Sequence, residues 1–401
     1  MLCFVLFYSY SIPVHGLLAN STLYDENWNE FLRNQSVLID NLFREYKQDA
    51  APVNTIIASR PANYNQSHPV HRRFNYTVQL FSFKLVGVVE PEERVTVIME
   101  VSEQWYDPRL TWDPDQYGGI FNLHVRQTKV WSPTLTSFGA TELIDLRDQD
   151  FRMAGISNEG TVYTFVSVLF STNCAMKVGR FPFDTQTCQI RFCMTIFYAR
   201  QVQILSDIYS GIQNESAWKR MGNSEWDLVN LTHRVELMAF GDDDGDVELA
   251  VFEVKLKRNP MYYIYMIVFP SFIINFLSII GVFMRNSDTM SKLNVGLTNI
   301  MTMTFILGVM SDKIPRTGSI PLLGVYIIIN LGIMIVAVGI TFGMKEFKKY
   351  AVGKLKSEKN KLNRNLVYIL GDPLETVCIV FLETLTIGNF LMMIVFWISD
   401  E

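Results

Sequence analysis

Residues 174–188 read Cys174-Ala-Met-Lys-Val-Gly-Arg-Phe181-Pro182-Phe183-Asp184-Thr-Gln-Thr-Cys188. Two cysteines enclose thirteen residues, and the middle of the segment carries a proline-stiffened apolar tip and one acid. The pair reads as a disulfide-closed loop, whose tip suits contact with a second apolar surface. On the residues alone, a structural hairpin in a secreted domain stays open beside that reading.

The surrounding chain points to an oxidising compartment and a membrane. Of 401 residues, 49% are hydrophobic and 19% charged, and the charges gather upstream of long charge-free runs in the last third. The formal net charge of −5 speaks against nucleic acid as a partner. Residues 1–19 read as a secretory signal peptide cleaved somewhere in 16–19, with a buried N-terminal strand as the alternative. Cys3 falls in that segment, Cys193 reads as a small hydrophobe within a strand, and Cys378 lies in a later apolar run. Six N-x-S/T sequons, at Asn20, Asn34, Asn65, Asn75, Asn214 and Asn230, all precede residue 258. They are candidate glycosylation sites and mark that part as extracellular.

Residues 30–46 carry Phe31, Leu38, Leu42 and Tyr46 at helical spacing, which predicts a short amphipathic helix. From Phe74 the texture changes to β-branched and aromatic runs at 74–89, 94–101, 161–170 and 248–257, bounded by turn residues. Regular short strands of this kind predict an antiparallel β-sandwich. Charge-free runs then cover 261–284, 293–311 and 317–344, each long enough to cross a bilayer as a helix. A fourth candidate, 376–398, includes Glu383, which is expected to snorkel near the inner end. Between the third and fourth runs, 345–364 holds eight Lys or Arg against two Glu and is expected to be cytoplasmic. Both termini of the processed chain then lie outside.

On the second run, steps of three and four place Asn294, Thr298, Met301, Phe305, Gly308 and Asp312 on one stripe. Its inner end is polar, its middle apolar and its outer end acidic. Repeated around a ring, it gives a pore with an apolar constriction at Met301 and Phe305, which closes by dewetting. A polar seam between packed helices is the alternative. Asp288 and Ser291 lie at the inner end.

The enclosed spacing with Phe-Pro-Phe-Asp inside resembles the signature loop of the Cys-loop pentameric ligand-gated ion channels, the nicotinic-receptor superfamily. The resemblance extends to Gln104-Trp105, Asp107-Pro-Arg109-Leu110, Trp112, Trp131-Ser-Pro133, Ser224-Glu225-Trp226-Asp227, Arg258, Pro270 and Pro315. It implies a signature loop resting on the loop between the second and third spans, and a ligand site between neighbouring extracellular domains. By the same resemblance Glu90 is the acid of the first hairpin tip and Arg258 its basic partner, with Pro182, Asp184 and Pro315 in the coupling layer. Asp288 and Asp312 form negative rings that favour cations, and 289–292 lacks the Pro-Ala insertion of anion-selecting relatives. Ser291 departs from the Glu usual in cation-selecting ones.

The ligand site departs furthest from the family. Phe138 keeps one aromatic position, Thr195 replaces another with Phe197 two residues on to compensate, and Glu100 replaces an aromatic on the complementary face. The capping hairpin around Phe240 has the acids Asp242, Asp243, Asp244 and Asp246 in place of adjacent cysteines. These acids leave proton or divalent sensing open beside a plain solvated tip.

The expectation is therefore an N-terminal helix and antiparallel sandwich over 20–258, three helices over 259–344, a short basic loop over 345–373 and a fourth helix over 374–401. Functionally it is a subunit of a homo- or hetero-pentameric, cation-selective channel in the plasma membrane, postsynaptic in setting and gated by a small extracellular ligand. Its partners are that ligand, inorganic cations, related subunits and the lipid bilayer. No cofactor, metal or catalytic residue is implied, and no nucleophile–base pair stands out. Three alternatives remain: an accessory subunit that binds no ligand itself, a proton- or divalent-sensing channel, and a non-conducting adhesion or scaffold protein.

Overall fold

The computed structural model describes residues 21–53, 73–239, 245–284, 288–315, 318–357 and 361–399. The signal segment, Asn20, Asn65, Phe240 and Asp242 to Asp244 lie outside the described residues. The N-terminal helix spans Ser21–Phe43, so it starts earlier than its apolar spacing predicts and stops short of Tyr46. Leu38 is the side chain it buries most deeply.

Tyr46 instead ties the helix exit to the sandwich. Its hydroxyl donates to Asp107 Oδ2 at 2.9 Å and accepts from the Trp131 backbone N–H at 2.9 Å. Asp107 is fully buried and is matched by Arg109 at 2.7 Å, whose guanidinium also lies 4.5 Å above the Tyr46 ring. Burial pushes the Tyr46 hydroxyl well above its ordinary pKa, so it remains a neutral donor.

Eleven strands follow among the described residues: β1 (Phe74–Val89), β2 (Arg94–Thr111), β3 (Asn122–Arg126), β4 (Thr136–Ser137), β5 (Ala140–Asp145), β6 (Met153–Ser157), β7 (Glu159–Asn173), β8 (Thr185–Cys193), β9 (Val202–Ile208), β10 (Trp226–Met238) and β11 (Val247–Arg258). One sheet runs β3-β6-β7-β2-β1-β9 with β5 also on β7, and the other runs β10-β11-β8-β4. Pairing is antiparallel except between β1 and β9, which are parallel. In β11, Ala250, Phe252, Val254 and Leu256 are buried while Lys255 is exposed, the alternation of a sandwich face.

Cys174 and Cys188 are bonded across a separation of 14 residues, joining the end of β7 to β8. Closing a loop of this length constrains the unfolded chain by about 3 kcal/mol. The double substitution Cys174→Ser with Cys188→Ser is expected to lower unfolding stability by about that amount, readable as a drop in the thermal midpoint.

Among the described residues four helices are long and apolar enough to cross a membrane: Met261–Val282, Met290–Ser311, Leu322–Glu346 and Glu375–Ile398. The first contains a π turn at Ile264–Val268, ending two residues before Pro270, whose missing N–H cannot serve the preceding turn. The third and fourth helices run on beyond these apolar stretches, as Leu322–Ser357 and Lys361–Ile398. The basic stretch expected as a loop is thus largely helical, in keeping with the high helix propensity of Lys, Leu and Glu. Glu383 does not reach outward: both carboxylate oxygens are buried without a hydrogen-bond partner.

Inside the bundle, side-chain amides link all four helices. Asn299 of the second donates to Asn275 of the first at 3.0 Å. Asn275 donates to Asn330 of the third and Thr386 of the fourth at 3.5 and 3.4 Å. Asn389 of the fourth donates to Asn330 at 3.1 Å. In an apolar medium, helices gain little from hydrophobic contact, so such bonds and close packing hold them. Gly296 supplies the close packing, since a Cβ there would lie 2.3 Å from Val338. Asn275→Leu removes the hub and is expected to destabilise the bundle by about 1–2 kcal/mol, measured as thermal unfolding in detergent.

Candidate functional site

Arg258 ends β11 directly above the first apolar helix, and its side chain is completely buried. Its Nε donates to Asp184 Oδ1 at 2.8 Å, and one terminal nitrogen reaches Glu90 Oε1 and Glu225 Oε1, each at 2.7 Å. The Trp226, Phe181 and Tyr263 rings lie 4.1, 4.8 and 5.6 Å from the guanidinium carbon. Burial alone would lower its pKa, but the charges of Asp184 and Glu90 outweigh that and hold it protonated.

Three separate parts of the sandwich thus meet on one cation. Glu90 sits at the β1–β2 hairpin tip, Asp184 in the disulfide-closed loop, and Glu225 just before β10. The closed loop is fixed locally: Gln186 donates to Asp184 Oδ2 at 2.6 Å, and Lys177 N–H donates to Gln186 Oε1 at 2.8 Å. Its apolar tip reaches the membrane helices. Phe181 stacks edge-on against Tyr263 at 4.7 Å, and its carbonyl accepts from Leu323 N–H at the start of the third helix at 3.1 Å. Pro182 follows a cis peptide bond, and Pro315 is buried just past the second helix.

Glu225, Trp226 and Tyr263 were not expected in this cluster. A signal existed in strand register, because Trp226 pairs directly with Arg258 across β10 and β11. Tyr263 donates to Glu225 at 2.8 Å, so the first helix joins the cluster through its own side chain.

The second site element is a cavity of about 390 Å³ at the edge of the four-stranded sheet. Phe138, Thr195, Tyr198, Cys193, Met238 and Leu249 line it. Phe197 does not; it packs against the core, and Tyr198 occupies the place expected of it. The reason is that β8 ends at Cys193, so strand alternation stops before these residues. Glu100 is on β2 of the other sheet, where it accepts from Ser167 Oγ at 3.1 Å. A single chain therefore does not bring Glu100 together with Phe138.

The third element is the stripe on the second apolar helix. Asn294, Thr298, Met301, Phe305, Gly308 and Asp312 are all exposed, with Met301 and Phe305 at 72% and 71%. Asn299 and Met303, on the opposite side, are buried against the other helices. At the inner end the Ser291 hydroxyl donates to Asp288, the residue preceding the helix. Elsewhere, Asn75, Asn214 and Asn230 are exposed, whereas Asn34 is half-buried against Gly118, a residue at φ +67°. Among the described residues no group of three or more His, Cys, Asp or Glu is placed to hold a metal ion.

Comparison with known proteins bears on this arrangement directly. A profile of the neurotransmitter-gated ion-channel ligand binding domain matches residues 35–260. The chain belongs to the Cys-loop ligand-gated ion-channel family. Ligand-gated ion channel 4 of Caenorhabditis elegans is 26% identical over 63% of this chain and 40% of the relative. Neuronal acetylcholine receptor subunit alpha-9 of Gallus gallus is 22% identical over 76% of this chain and 59% of the relative. Proton-gated ion channel subunit pbo-6 of C. elegans is 25% identical over 66% of this chain and 62% of the relative. Each match thus spans about two fifths to three fifths of the relative's length. Within this Cys-loop subunit, the Arg258 cluster is the junction of sandwich and membrane bundle.

Proposed function

We propose that this Cys-loop subunit assembles with copies of itself or related subunits into a pentameric, cation-selective channel of the plasma membrane. A small extracellular ligand would gate it from a site between neighbouring subunits. The observation that carries this reading is the second apolar helix, which buries Asn299 and Met303 and turns Met301 and Phe305 away from its own bundle. Five such stripes around an axis would make a polar inner pore, an apolar constriction and an acidic outer mouth.

Ligand capture at the Phe138 and Tyr198 cavity, with Glu100 supplied by the neighbouring subunit, would favour one arrangement of the sandwich. The Arg258 cluster would pass that preference to the first helix through Tyr263 and to the third through Phe181. The pore helices would tilt and the constriction would fill with water. Sparse aromatic lining favours a second reading, in which this subunit is an accessory one and its partners complete the ligand site.

Voltage-clamp recording tests the proposal. Replacing external sodium by a large impermeant cation is expected to move the reversal potential negative, whereas a reversal potential that tracks chloride would refute cation selectivity. Asp312→Asn and Asp288→Asn are each expected to lower cation conductance. One charge about 8 Å from the ion path in water contributes about 0.5 kcal/mol, roughly twofold in local cation concentration.

A further inference from the structure

We propose that Glu103 is a proton-binding site within the extracellular domain, and that its protonation state biases gating through the strands it lies on and beside. Its consequence for gating rests on the channel reading above; the site itself rests on geometry. Alternation along β2 buries Val97, Met99, Val101, Trp105 and Asp107, and the same parity turns Glu103 into the sandwich, where it is 6% exposed.

A carboxylate in such a place is ordinarily matched by a cation, as Asp107 is by Arg109. Glu103 is not. Arg152, whose charge acts on it, pairs with Asp145, and no ion pair within 4.0 Å holds Glu103 among the described residues. Its cross-strand neighbours are Val78 on β1 and Thr164 on β7. The Thr164 hydroxyl is buried without a hydrogen-bond partner, and the Tyr76 hydroxyl faces the carboxyl from outside strict hydrogen-bond geometry. Hydroxyls can donate to a carboxylate or accept from a carboxylic acid, so this surrounding accommodates both states. Tyr76, Arg152 and Asp145, with Asp49 on the cavity wall, are the titratable and charged groups that face it.

Glu103 also lines a cavity of about 550 Å³ together with Gln127, Trp131 and Arg152. Water occupies about 30 Å³ per molecule, so the space admits the waters that deliver a proton. Burial pushes the carboxyl from 4.5 up to about 7, against the opposing effects of Tyr76 and Arg152. A carboxyl raised in this way contributes its full stability below its ordinary pKa and loses it as pH rises through about 7.

Both strands at this position lead to the Arg258 cluster. β2 begins at the hairpin whose tip carries Glu90, and β7 runs into Cys174 and the loop that carries Asp184. A charge that appears on Glu103 as pH rises therefore acts on two of the segments that converge on Arg258.

The test uses the full-length protein in detergent, compared with Glu103→Gln. Between about pH 4.5 and about pH 7 the thermal midpoint of the native protein is expected to fall relative to the variant, levelling off above about pH 7. Isotope-edited infrared spectra should show a protonated carboxyl band that is lost with its midpoint near pH 7 and is absent in Glu103→Gln. Arg152→Gln should move that titration to higher pH, because a charge favouring the ionised form is gone. Under voltage clamp, Glu103→Gln should lose most of the native pH dependence of current across this range. Identical unfolding profiles with no band titrating near neutrality would overturn the site. A titrating band with unchanged pH dependence of current would overturn its role in gating. Absence of current in both proteins would count against the channel reading, while unfolding and infrared spectra would still decide the site.

Discussion

Arg258→Gln is expected to cost about 3–5 kcal/mol of stability and to abolish agonist-evoked current even in the protein that still reaches the cell surface. The substitution leaves Asp184, fully buried, with a carboxylate that has lost its cation while Glu90 and Glu225 remain nearby. Removing one partner of a buried pair is costlier than never having made it, because the remaining charge is stranded away from water. Arg258→Lys keeps the charge but not the planar fork that serves Asp184 through Nε and Glu90 through a terminal nitrogen. It should recover part of the stability and little of the current. A Glu90→Gln, Arg258→Gln double-mutant cycle on the thermal midpoint would measure the coupling between hairpin tip and strand end. Additive effects would show that the 2.7 Å contact carries no linkage between the two segments.

The second large effect concerns the constriction. Replacing both Met301 and Phe305 by Ser is expected to leave a standing cation leak in cells given no agonist. In the proposed pore, each apolar ring would help to exclude water from the constriction. Removing an apolar side chain of this size changes its hydration by about 1.5–3 kcal/mol, roughly tenfold or more in the wetted population. Met303→Ser is the informative control. Met303 is completely buried against the bundle, so its truncation should destabilise the helices without producing a leak. Leak from Met303→Ser with none from the Met301 and Phe305 pair would reverse the assignment of the pore face.

Much of this architecture could be read in the chain because its signals are local. The disulfide spacing, β-branched runs and charge-free stretches each depend on neighbouring residues. The Arg258 cluster is different, since Glu90 and Asp184 lie 168 and 74 residues away in sequence and follow only from family resemblance. Glu225, though part of the family-like 224–227 motif, and Tyr263 carry nothing in their immediate sequence that marks them as partners of Arg258. Their roles follow from the β10–β11 register and from the helix that starts just past β11.

Counting two residues on from Thr195 points Phe197 at the ligand site, but β8 has already ended and Tyr198 takes the position. Within β2, where the ladder does continue, the same count would have found Glu103 on the buried face beside Val101 and Trp105. In the basic stretch the charge was legible. Its helical continuation was not, because Lys and Glu suit exposed helices and loops alike.

The exposed stripe of the second helix is expected to line a gated water path. Substituted-cysteine accessibility tests it most directly, in the Met301→Ser, Phe305→Ser background whose leak supplies current without an agonist. A charged thiol reagent should alter the current of Asn294→Cys and Thr298→Cys, and should leave Asn299→Cys, Met303→Cys and the cysteine-unmodified background unchanged. Modification at Asn299 and Met303 with an inert stripe would contradict the account.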